Sequence, residues 1–168
     1  MTSQLNSLRF LFQYELMELA AATAQRMRLL PSMKAAASDQ ELKRELADQE
    51  SVCRAHLEEL SAILDQLQLS SISHESRVVA ALGDDCAALL DNSGQADNKV
   101  LDAALIAQLQ RMQHVELAGY HAAQAAAVQL HEHEHAQRLK SCQDEAEAAH
   151  RALEGLADRW ILVVAAGN

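Results

Sequence analysis

The chain has 168 residues, about the size of one domain. Lys plus Arg number 14 against 24 Asp plus Glu, a net charge of −10 that disfavours phosphate backbones and anionic lipid as partners. One Pro, five Gly and 3% aromatic residues exclude all-β and doubly wound α/β folds, while a 49% apolar share is enough to bury a core.

The N-terminal stretch MTSQLNSLRFLFQYEL has no basic region and no small-residue cleavage site. The longest apolar run, Trp160 to Ala166, is too short to span a bilayer. Three cysteines without framework spacing point to free thiols and a reducing compartment. The expectation is a cytoplasmic protein with neither nucleic acid nor membrane as partner.

Four long segments repeat apolar residues at steps of three and four, the pattern of helices that pack on one another. The first, about 4–36, runs through Leu5, Leu8, Phe12, Leu16, Leu19, Thr23, Met27 and Leu30, and Pro31 is expected to kink or stop it. Ser38 and Asp39 read as the N-cap of a second helix, about 39–69, with Leu42, Leu46, Gln49, Cys53, His56, Leu60, Ile63 and Leu67 inward. A weaker segment, about 75–91, is interrupted by Gly83 and closed by DNSGQADN; it reads as one or two short helices within a long crossover.

Asp97 or Asn98 caps the third long helix, about 97–129, whose seam is Leu101, Leu105, Leu109, Met112, Glu116, Tyr120, Ala123, Ala127 and Leu130. The fourth, about 133–160, turns Leu139, Cys142, Ala146, Ala149, Leu153, Leu156 and Trp160 inward, and the polar run HEHEH marks the turn before it. Two helical hairpins joined by a crossover of roughly 25–30 residues have the connectivity of ferritin-like four-helix bundles. The predicted fold class is therefore all-α, a single ferritin-like bundle over 1–168 with an apolar tail at 160–168.

Polar residues at apolar seam positions are the informative ones. Glu116 falls between Met112 and Tyr120, so its carboxylate points inward and needs a proton, hydrogen bonds or a cation. His56, Gln49 and Thr23 occupy inward positions, and Gln113 and Glu145 lie beside the seams. Polar groups near the middle of all four helices suit either a carboxylate-bridged metal site or a self-satisfied polar core. No Glu lies three residues before a His on the inner faces, which disfavours the di-metal motif. His131, His133 and His135 could chelate Zn or Ni, with His131 and His135 on one face if helical, or form an ordinary solvated turn. Cys53 and Cys142 read as small core residues rather than a redox pair.

The run LFQYELMELAAATAQRMRLLPSMKAAASDQELKRELADQ resembles the opening hairpin of the YciE/YciF-type ferritin-like proteins. DAALIAQLQRMQHVELAGY is similar to that group's third helix, and CQDEAEAAHRALEGLA to its fourth. The likeness covers about residues 5–158. It implies a ferritin-like bundle, often dimeric, with a candidate di-metal centre and an association with stress responses. Carried across by position, the group's metal-site Glu residues fall on Thr23, Val52 and Gln113, all neutral here, while Glu116 and Glu145 survive. His56 and His114 also match the group's pattern.

Two carboxylates and an imidazole (Glu116, Glu145 and His56) form the candidate site for a single Fe, Mn or Zn ion, with no organic cofactor expected. The leading expectation is a structural or interaction module whose di-metal chemistry is reduced or lost. The alternative is an Fe/Mn metalloprotein handling oxygen or peroxide. An apolar tail such as WILVVAA is expected to pack on the bundle or on a second copy, giving a homodimer.

Overall fold

The computed structural model describes residues 7–70 and 74–166, with side chains through Arg159. The described residues form five α-helices and no strand: α1 (Leu8–Ala36), α2 (Gln40–Gln66), α3 (Arg77–Asp91), α4 (Asn98–Gln129) and α5 (His133–Ala166). A 3-10 turn at Ser93–Gln95 precedes α4. None of these helices is long and apolar enough to cross a membrane.

Side-chain caps start α1, α2 and α4, the last two where the sequence places them. Ser7 accepts from the Phe10 amide, Asp39 from the Glu41 and Leu42 amides, and Asp97 from the Lys99 and Val100 amides. The expected start of the first helix near residue 4 lies outside the described residues. Pro31 does not end α1, which runs on to Ala36. The proline forfeits one backbone hydrogen bond, and the buried flanking residues Leu30 and Met33 anchor the helix on both sides of it. Gly83 does not break α3 either; a Cβ there would come within 3.4 Å of Leu29 Cδ1, so this single helix lies close on α1.

α1 packs on α2 and α4, and α5 completes the square by packing on α2 and α4. Cross-helix bonds fix the directions. Arg9–Glu132, Arg26–Glu116 and Ser38–Asp102 make α1 and α4 antiparallel; Arg159–Glu41, His56–Glu145 and His135–Gln66 do the same for α2 and α5. Diagonal helices α2 and α4 thus run parallel, so their connection must travel the length of the bundle. α3 lies in that connection, packed on α1 and α4. The Gln25 side chain pairs with both the amide and the carbonyl of Ser76, and Gln108 Nε2 donates to the Leu82 carbonyl at 2.6 Å.

The core is divided. One apolar cluster gathers Phe12, Leu16, Leu19, Leu60, Ile63 and Leu139 at one end. Another gathers Leu30, Met33, Leu42, Leu46, Leu105 and Leu153 at the other. Between them lie Thr23, Arg26, Gln49, His56, Gln113 and Glu116, all buried. α5 continues helical to Ala166 rather than ending near residue 160. The expected packing of the WILVVAA side chains lies outside the described residues.

Candidate functional site

The polar belt has two levels. At the first, each long helix supplies one group: Thr23 from α1, His56 from α2, Tyr120 from α4 and Glu145 from α5. Thr23, His56 and Tyr120 are fully buried, whereas the Glu145 side chain is 57% exposed. His56 Nε2 lies 3.3 Å from Glu145 Oε2, and the His56 ring meets Tyr120 edge-on at 5.5 Å. Burial lowers the His56 pKa below its ordinary 6.5, against the pull of Glu116 and Glu145. Burial likewise raises Tyr120, with Glu116 adding to the effect.

One turn along, Arg26 and Glu116 form a fork-to-fork ion pair. Nε and Nη2 of Arg26 each donate at 2.8 Å, one to each oxygen of Glu116, and both side chains are at most 2% exposed. The remaining Nη1 of Arg26 donates to Gln49 Oε1 at 2.7 Å. Gln49 Oε1 also accepts from Gln113 Nε2 at 2.8 Å, and Gln113 Oε1 faces His150 Nδ1 at 3.1 Å. Burial disfavours the charge on Arg26, but Glu116 outweighs it and raises the guanidinium pKa. A buried charge pair needs its remaining polar groups partnered; Gln49 accepts from Arg26, and Gln113 in turn donates to that Gln49 oxygen.

The three predicted ligand residues are therefore divided between two pairings. Glu116 is buried as expected, but both its oxygens belong to Arg26. His56 and Glu145 face each other at the neighbouring level. Among the described residues no group of three or more His, Cys, Asp or Glu is arranged to hold a metal ion. The donors also fail a chemical test for a carboxylate-bridged pair of metals. Thr23 and Gln113 are neutral, and a cation would have to displace the guanidinium already bound to Glu116.

The histidine run is divided as well. His131 takes a left-handed φ of 61° in the turn and His133 opens α5, so His131 and His135 do not share a helical face. His135 is buried, its Nε2 2.9 Å from Gln66 Oε1. Cys53, Cys86 and Cys142 are buried free thiols. Burial pushes Cys53 and Cys142 up to about 12, so both are protonated core residues at neutral pH.

Sequence reasoning missed Arg26, Asp102 and His150, the last buried at the place where Ala149 was expected inward. Asp102 is buried and accepts three bonds at the α1–α2 turn: Ser38 N at 2.8 Å, Ser38 Oγ at 2.6 Å and Asp39 N at 3.0 Å. Ser38 thus ties the turn to α4, and Asp39 alone caps α2.

These features define a four-helix bundle with a lengthwise crossover and an ion-paired polar belt. The chain belongs to the family described as a domain of unknown function, DUF892, whose profile spans residues 7–165. Its fold is similar to that of the E. coli stress protein YciF, with a TM-score of 0.86 at 23% identity, covering 94% of this chain and 98% of that one. YcfI from Rhodopseudomonas palustris is also similar, with a TM-score of 0.82 at 23% identity over 92% and 97% of the two chains. No curated protein sequence matches this chain.

Proposed function

We propose that this protein is a metal-independent bundle of the YciF type, acting in the cytoplasm as a structural or interaction module. The observation that carries this reading is the fork-to-fork bond of Arg26 to Glu116. The guanidinium supplies the positive charge that a divalent ion would otherwise bring to the surviving carboxylate. It does so without an open coordination position, so no reactive centre follows from it. The fold likeness to a stress protein supports a role in stress tolerance, in which the bundle presents surfaces rather than chemistry. We further propose that it assembles as a homodimer through the apolar residues Trp160–Ala166.

Elemental analysis tests the metal question. The protein is purified tag-free, without nickel resin, with His131, His133 and His135 changed to Ala, and incubated with Fe, Mn or Zn. The expected metal content is well below one ion per chain. One or two ions per chain, lost on Glu116→Ala, would overturn the proposal in favour of a metalloprotein handling oxygen or peroxide.

A further inference from the structure

α3 fills only part of the groove between α1 and α4. The stripe of α1 along this groove runs Glu15, Glu18, Ala22, Gln25 and Leu29, at helical steps of three and four. Gln25 and Leu29 lie against α3 at Ser76 and Gly83. Toward the start of α1 the groove stays open over about two turns, roughly 10 Å, and encloses about 220 Å³. Leu19 and Ala22 of α1 and Val115 and Ala122 of α4 give it apolar walls. The helices close on each other at Gly119, where a Cβ would sit 2.8 Å from Leu19 Cδ2.

The rim is acidic. Glu18 Oε2 lies 2.7 Å from His74 Nε2. The Glu15 carboxylate reaches over Gly119, and among the described residues it has neither a hydrogen bond nor an ion pair. Burial raises the Glu15 pKa, and Glu18 adds to the effect. Glu116 also lines the groove, but its charge is cancelled by Arg26.

A lone carboxylate asks for a cation, and apolar walls ask for hydrocarbon. A hydrated metal ion gains nothing from alanine walls and would find a single free carboxylate. Pockets for drug-sized molecules span about 300–1,000 Å³, so the occupant here is smaller and slender, and a helix about 10 Å across would stand outside. We propose that this groove binds a linear aliphatic amine of the diamine or polyamine class. One ammonium donates to Glu15 with Glu18 beside it, and the methylene chain lies along Leu19, Ala22, Val115 and Ala122. The site does not draw on His56, Glu145 or the Arg26–Glu116 pair, so its test is separate from the metal question.

Calorimetric titration of the full chain with 1,4-diaminobutane and with spermidine at low salt tests it. The expected result is saturable binding of one molecule per chain, weakened about tenfold or more by Glu15→Gln. Ala118→Leu, which fills the groove from an exposed position and keeps the charge, should weaken it as much. Glu58→Gln, an equal charge change at an exposed position of α2, should leave the affinity unchanged. Amide NMR shifts on binding should centre on residues 15–22 and 115–122. No saturable binding would overturn the site, as would shifts centred elsewhere. Equal weakening by Glu15→Gln and Glu58→Gln would overturn it too, as the mark of diffuse attraction to a chain of net charge −10.

Discussion

Arg26 is the residue on which the polar belt turns. Replacing it with Met would leave the Glu116 carboxylate buried and alone, and the expected loss is about 3–5 kcal/mol in a denaturant melt. Arg26→Met combined with Glu116→Leu should regain most of that loss, because apolar side chains of similar volume often replace a buried pair at no cost. His56 gives the belt its pH dependence. Its folded pKa lies below the ordinary 6.5, so the unfolded chain binds more protons on the acidic side. Stability from this group should be complete above about pH 6.5 and fall as the pH drops below it, and His56→Gln should flatten that slope in melts taken across the range. At this scale the sequence was half legible. An inward Glu116 announces a need for a cation, but after Thr23 both Arg26 and Met27 satisfy the helical step. Apolar patterning selects Met27, yet the structure buries Arg26 because a charge on the facing helix awaits it.

Among the elements, the long helices were legible because each must bury a continuous stripe, which leaves a strong period in the sequence. Capping residues fixed the starts of α2 and α4 to within a residue or so. Gly83 misled, and Pro31 did not stop α1, which reaches the expected end near residue 36, since local preference of this kind yields to packing on both flanks. Asp102 was invisible because its partners are backbone amides of a distant turn, which no residue pattern records. Its removal should show on the element it holds. Asp102→Ala is expected to cost about 1–3 kcal/mol, with faster amide exchange at Ser38 and Asp39 than at the caps of α4. The buried pair also acts between elements. Arg26 belongs to the first hairpin and Glu116 to the second, so a slip of one turn would strand two charges in the core. The hairpins therefore dock in one register.

The whole molecule carries a net charge of −10, and copies of it repel one another unless a specific contact outweighs that repulsion. The residues past Arg159 are the proposed contact. Truncation after Arg159 should convert a dimer to a monomer by light scattering, with the bundle's helical signal retained; an unchanged mass would sink the dimer. The Arg159–Glu41 bond at 2.6 Å stays within the truncated chain, so the end of the bundle remains tied. The internal guanidinium has one more effect at this scale. A core centred on a bound ion is only as dependable as its supply: chelators strip it, rival metals replace it, and oxidants change its valence. Arg26 is instead encoded in the gene and translated with the chain. Every copy leaves the ribosome with its central charge in hand, and the yield of folded protein should be the same from starved and from metal-replete cells.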